Sequence, residues 1–236
     1  MRRREPGLVI SCEHAGNRVP AQYRSRFRGA SAVLKSHRGW DPGSLDLARA
    51  IAFAANVPLL ANTTSRLVVE CNRSLGHPQL FSEFTRDLDP AEKFQLLALF
   101  YHPHRRAVEL AVHRAIRRHG RVVHIGVHTF TSVFKDKRRR ADVGLLFDPG
   151  RRFERDVVDA LSTELRARAP KLRVRRNYPY RGWTDGLTTT LRGRSPAASY
   201  AGIELEVNQA LVANLSRRRA IQRQLAEAVR VIGTSI

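Results

Sequence analysis

The sequence predicts an α/β layered fold around a sheet that is at least partly parallel, and three observations carry that prediction. Short apolar, β-branched runs alternate with helical periodicities from end to end. Polar residues able to do chemistry follow directly on several of those runs, where open α/β sheets place their sites. No repeat or low-complexity linker interrupts the chain, so residues 1–236 read as one domain. A chain of this length can bury roughly 70% of its unfolded surface, which suffices for a core without disulfides.

The elements follow in order. Gly7-Leu-Val-Ile-Ser-Cys12 is a short apolar run that reads as a buried strand and ends in the loop Glu13-His14-Ala15-Gly16-Asn17. Asp41-Pro42-Gly43 opens a helix in which Leu47, Ala48, Ile51, Ala52 and Ala55 fall at helical spacing. Residues 57–62 and 65–72 read as further strands. Asp89-Pro90-Ala91-Glu92 combines an Asp N-cap, a Pro at the first helical position and a Glu three residues after the cap. Pro103 is expected to break or kink that helix. A second helical stripe, Val108, Ala111, Val112, Ala115 and Ile116, closes at Gly120, which suits a left-handed C-cap. Strands are expected over 121–130, 143–147, 172–175 and 202–208, and helices over 151–169 and 215–232.

Composition excludes several function classes. The longest uncharged stretch, 50–65, is shorter than the ~20 residues of a membrane span and contains Asn56, Pro58 and Asn62. The basic N-terminus leads into too short an apolar run for a signal peptide. Cys12 and Cys71 are too few for a disulfide scaffold, although one bridge remains open, and the compartment reads as a reducing cytoplasm. The formal net charge of +21 invites a nucleic-acid partner. However, 37 of the 42 basic residues are Arg, scattered in short clusters at Arg2–Arg4, Arg138–Arg140, Arg175–Arg176 and Arg217–Arg219. The surplus is therefore read as solvated surface rather than as a phosphate track.

Candidate site residues lie just beyond the strands. His14 follows the first strand and His128 closes the apolar run 122–127. Either one alone is more often a satisfied loop or core histidine. Two at corresponding strand ends suggest a metal site. In Gly202-Ile-Glu-Leu-Glu-Val-Asn208, strand alternation puts Glu204, Glu206 and Asn208 on one face. The bland reading is an edge strand with a wet face; the functional one is a general base beside a hydrolytic metal. Asp41 is the first choice for a third ligand, against the alternative that it caps the following helix. Asn17 is a poorer amide ligand, and His37 is weaker still. Arg66, Asn72 and Arg73 bracket another strand end and suit a substrate carboxylate. Tyr178, Tyr180, Trp183 and Asp185 form an aromatic loop able to cover a site, and His102-Pro103-His104 reads as a helix junction rather than a ligand pair.

Five segments resemble, in order, the N-formylglutamate amidohydrolase family: Ser11-Cys-Glu-His-Ala-Gly-Asn-Arg-Val-Pro20, His37-Arg-Gly-Trp-Asp-Pro-Gly43, Ser65-Arg-Leu-Val-Val-Glu-Cys-Asn-Arg-Ser74, Val127-His-Thr-Phe130 and Gly202-Ile-Glu-Leu-Glu-Val-Asn208. The resemblance implies a three-layer α/β/α, hydrolase-like fold with a mixed central sheet, similar to zinc carboxypeptidases and aspartoacylase. It implies one Zn2+ per chain on His14, His128 and a third ligand, Glu206 as general base, and Asn72-Arg73 holding a substrate carboxylate. In the relatives the first histidine opens an H-x-x-E pair; here Asn17 stands at the glutamate position, which leaves the third ligand open. The implied reaction is hydrolysis of an N-acyl acidic amino acid such as N-formylglutamate. A lapsed enzyme and an Arg-rich nucleic-acid-binding protein are the alternatives; the first predicts weak or absent metal binding, the second salt-sensitive affinity indifferent to chelators.

Overall fold

The computed structural model describes residues 5–235, so the basic cluster Arg2–Arg4 lies outside the described residues. In chain order the elements are β1 (Gly7–Cys12), α1 (Ser31–Lys35), α2 (Ser44–Ala54), β2 (Leu59–Ala61), α3 (Pro90–Leu96), α4 (His102–His119), β3 (Val122–Phe130), β4 (Val133–Phe134), β5 (Lys137–Arg138), β6 (Val143–Leu146), α5 (Arg152–Arg168), β7 (Val174–Arg176), α6 (Leu187–Gly193), β8 (Tyr200–Asn208), α7 (Gln209–Val212) and α8 (Leu215–Ser235). Six strands form one mixed sheet in the order β2-β1-β3-β8-β6-β7. The first four are mutually parallel, and β6 pairs antiparallel with β8. β4 and β5 make a separate small hairpin.

Helices cover both faces. On one side α2, α5 and α8 pack on the sheet and on one another. Their shared core takes alternate residues of three parallel strands: Ile10 and Cys12, then Val123, Ile125 and Val127, then Ile203, Leu205 and Val207. On the other side α4 and α6 cover the amino-terminal halves of the strands, with Val9, Val108, Val122, Leu191 and Tyr200 in contact. The carboxyl halves of that second face carry polar residues.

The expected start and stop signals operate. Asp89 and Glu92 form a reciprocal capping box at α3, and Gly120 closes α4 at φ 81°. Pro103 sits in the first turn of α4, where its missing N–H costs nothing, and the α-helical ladder is interrupted just before it by a π-helical turn, Leu97–Tyr101.

Two expectations are corrected. Residues 65–72 are turns, not a strand. Their apolar run buries Leu67, Val68 and Val69 in a second core with Tyr23, Phe27, Leu80 and Leu96, while their backbone bonds run to local loops, as from Val68 N–H to Ser65 O and from Glu70 N–H to Leu80 O. A short apolar run fits a buried loop as well as a strand. In addition, β8 is not an edge strand but lies between β3 and β6. Cys12 and Cys71 are both buried free thiols.

Candidate metal centre and cleft

Strand register builds the site. His128 on β3 lies directly opposite Glu206 on β8. Ser11 on β1 pairs with Gly126, so Glu13, two residues further, comes alongside His128. Three polar side chains thus stand in a row across three parallel strands at their carboxyl ends, on the face away from the main core. The next residue, His14, follows Glu13 in the loop after β1. Its carbonyl accepts from Asp41 N–H at 3.1 Å, which ties the Asp41 loop beside it.

The outcome is a buried trio. His14 Nδ1 lies 3.2 Å from His128 Nδ1, and Asp41 Oδ2 lies 3.3 Å from the former and 3.1 Å from the latter. The three residues are 2%, 3% and 4% exposed for His14, His128 and Asp41. Asp41 does not cap α2; that position belongs to Gly43, at φ 84°. The carboxylate is free for the cluster because the helix start is served by a residue that tolerates left-handed backbone. Among the described residues these three form a group able to hold a metal ion. A tetrahedral site with ~2.0 Å bonds has donor atoms roughly 3.3 Å apart, which the observed separations match. Imidazole nitrogen with carboxylate oxygen is a donor set suited to zinc, so the residues fit the group that the resemblance implies.

Charged neighbours surround the trio. Arg66 reaches Asp41 at 3.3 Å and Glu70 at 3.0 Å, and its guanidinium lies against the His14 ring, 2.6 Å from Nε2. Glu70 also makes a close contact with His14 Nε2. Burial works to raise the Asp41 pKa, but Arg66, His14 and His128 together hold it well below the usual carboxylate range. Glu206 goes the other way: burial pushes its pKa up to about 7 against the pull of His128. Its Oε2 has no hydrogen-bond partner among the described residues.

Above the trio opens a cleft of about 530 Å³ whose lining includes Arg73, Tyr180, Glu204 and Glu206. Arg73 donates to the Asp185 carbonyl at 2.7 Å, and its own carbonyl accepts from Tyr101 Oη–H at 2.7 Å. Asn72 is committed to the wall: its Nδ2 donates to Glu204 at 3.2 Å and its Oδ1 accepts from Leu187 N–H at 2.8 Å. Tyr180 and Asp185 of the aromatic loop line the cleft. Gly144 lets that loop approach, since a β-carbon there would meet Tyr178 O at 1.8 Å.

The structure therefore brings His14, Asp41, His128, Glu206, Arg66, Asn72, Arg73 and Glu204 to one place. Asn17 stays outside the trio, its amide donating to Leu34 O at 3.0 Å. Sequence reasoning missed Glu70, Glu13 and His104. Glu70 and Glu13 lie inside the segments that carry the resemblance, but nothing in the spacing orders them around His14 and His128.

A mixed sheet with helices on both faces carries, at the carboxyl ends of its parallel strands, a buried His–Asp–His group able to hold a metal ion, which defines an α/β protein with its site where open α/β sheets place theirs. Residues 7–213 match the profile of the N-formylglutamate amidohydrolase family, and the chain belongs to that family. The solved structure of gene product Atu2144 from Agrobacterium tumefaciens is 30% identical over 97% of this chain and 91% of its own, with a TM-score of 0.81. The structure of N-formylglutamate amidohydrolase from Ralstonia eutropha JMP134 shares the fold, at 23% identity, 98% and 93% coverage and a TM-score of 0.74. No curated protein matches the chain.

Proposed function

We propose that this chain is a zinc-dependent amidohydrolase that removes an N-acyl group, in first place N-formyl, from an acidic amino acid such as N-formylglutamate. The observation that carries the reading is the buried trio His14, Asp41 and His128 with Glu206 opposite His128 in the sheet. The family named for this reaction and the matching donor spacing support it. The trio would hold one zinc ion, which acts as a Lewis acid toward the amide carbonyl and makes water easier to ionise.

The chain's own residues do the rest. Glu206 takes the proton of the attacking water and returns it to the departing amine nitrogen. Arg73, which lines the cleft and spends one donor on the Asp185 carbonyl, binds the substrate carboxylate. Asn72, beside Arg73 in the chain and lining the same cleft, faces the substrate with it, and Glu204 anchors Asn72. Arg66 balances Asp41 and Glu70 and offers the cleft a second cationic group. The reaction runs in a single domain, and the two unbridged thiols suit the reducing cytoplasm. Among the described residues no helix is long and apolar enough to cross a membrane.

The test is elemental analysis of the purified protein, with release of formate from N-formylglutamate measured before and after chelation. Near one zinc per chain and chelator-sensitive formate release are expected. Metal-free protein that stays inert after zinc is restored overturns the reading in favour of a lapsed enzyme.

A further inference from the structure

On the side of His128 away from Asp41 lies a carboxylate that the reaction above does not use. Glu13 is 1% exposed. Its Oε2 is 3.1 Å from His128 Nε2, at ion-pair distance but not aligned for a hydrogen bond, and its Oε1 is 3.3 Å from His104 Nε2. Each carboxylate oxygen thus meets one imidazole. His104 is itself buried, at 7% side-chain exposure, and comes from α4, some 90 residues away in the chain.

The helix that delivers His104 is built for this side of the site. After the π-helical turn Leu97–Tyr101, Tyr101, His104 and Arg105 share one face at i, i+3 and i+4. Tyr101 and Arg105 both donate to the carbonyl of Arg73, and Arg105 also to that of Cys71 at 2.9 Å. One helix face therefore supports the substrate-side loop and, through His104, the carboxylate behind His128. π-turns inside helices recur at functional sites for this kind of re-aiming.

We propose that Glu13, braced by His104, is a positioning residue that fixes the tautomer and ring orientation of His128. A neutral imidazole carries one N–H. A carboxylate at Nε2 draws that hydrogen to Nε2 and leaves the Nδ1 lone pair aimed at His14 and Asp41, where the ion would sit. Glu13 is not itself a ligand, because the His128 ring stands between it and the trio. His104 holds the second oxygen, so the carboxylate cannot turn away from His128. The inference rests on the metal reading above.

The test uses the full chain loaded with zinc. Zinc affinity is measured by chelator competition for wild type, Glu13→Gln, Glu13→Ala and His104→Leu, with circular dichroism of the metal-free proteins to verify folding. The His128 tautomer is read by ¹⁵N NMR. The expected results are a roughly 10–100-fold loss of zinc affinity in the Glu13 variants, a smaller loss in His104→Leu, and an Nε2–H tautomer at His128 in wild type. Folded Glu13 variants with wild-type affinity, or an Nδ1–H tautomer in loaded wild type, overturn the proposal while leaving the hydrolase reading intact. Should the Glu13 variants fail to fold, wild-type tautomer and His104→Leu affinity decide the matter. Wild type that takes up no zinc sinks both readings together, which tells the two failures apart.

Discussion

Two ionic clusters are shut away from water beside β8, and they are finished differently. At its amino end Glu154 accepts from Arg192 Nε at 2.8 Å and from the backbone N–H groups of Gly202 and Asp148, while Arg192 gives its remaining donors to the carbonyls of Gly182 and Gly202. At its carboxyl end His14, Asp41, His128 and Glu206 are as deeply buried, yet Glu206 Oε2 has no hydrogen-bond partner among the described residues and two ring nitrogens face each other at 3.2 Å. The Glu154–Arg192 pair has its carboxylate oxygens and its guanidinium both engaged and holds the fold, with Arg151 Nε at 3.5 Å from Glu154 as its one loose neighbour. A network with open valences in the interior is costly unless a ligand completes it. The difference separates a structural ion pair from a reactive site more sharply than burial does.

The strongest way to break this comparison is Glu206→Gln. Formate release from N-formylglutamate should fall 10²–10⁴-fold, about 3–5 kcal/mol of barrier, with zinc content and urea midpoint unchanged; a loss of stability instead would make Glu206 another structural carboxylate. Next in size, Arg192→Met takes from buried Glu154 its closest cation and leaves only Arg151, at 3.5 Å, to balance the charge. Urea denaturation should show about 3–5 kcal/mol less stability, with kcat of the folded enzyme kept. Smaller again is an effect of acid on the polar chain between the two clusters, where His124 lies 2.8 Å from both Ser11 Oγ and Tyr200 Oη. Burial drops its pKa from 6.5 to about 4. The unfolded chain thus takes up this proton first, so the contribution of neutral His124 is complete above pH 6.5, shrinks as pH falls, and is gone near pH 4. It amounts to on the order of 3 kcal/mol. His124→Gln should flatten that part of the stability curve, and parallel curves for variant and wild type would show the shift to be absent.

What was legible in the sequence followed from strand ends. Gly7–Cys12, Val122–Phe130 and Tyr200–Asn208 could be read as apolar runs, and the polar residues that close them, His14, His128 and Glu206, do converge. Asp41 was harder, since Asp-Pro-Gly suits a helix cap as well as a ligand, and only the left-handed Gly43 shows which use is made of it. Glu70 could not be found, because it arrives from turns that mimic a strand, and His104, set aside with His102 as a helix junction, owes its place beside Glu13 to a helix re-phased by a π-turn. Glu13 was in view beside His14, but its contact with His128 depends on the register of β1 against β3, which hydrophobic pattern alone does not fix.

The central place of β3 also bears on how the chain is made. All nine of its residues are buried, and its β8 neighbour begins at Tyr200, 70 residues after Phe130. At ~5–20 residues/s of synthesis, a newborn chain carries this strand with one edge unpaired for about 4–14 s. Arg117, Arg118 and Arg121 stand on one side of it and Arg138, Arg139 and Arg140 on the other. Charges flanking a sticky strand are gatekeepers that oppose edge-to-edge association. Part of the arginine surplus thereby stands where it would oppose such association while an interior strand waits for its partner.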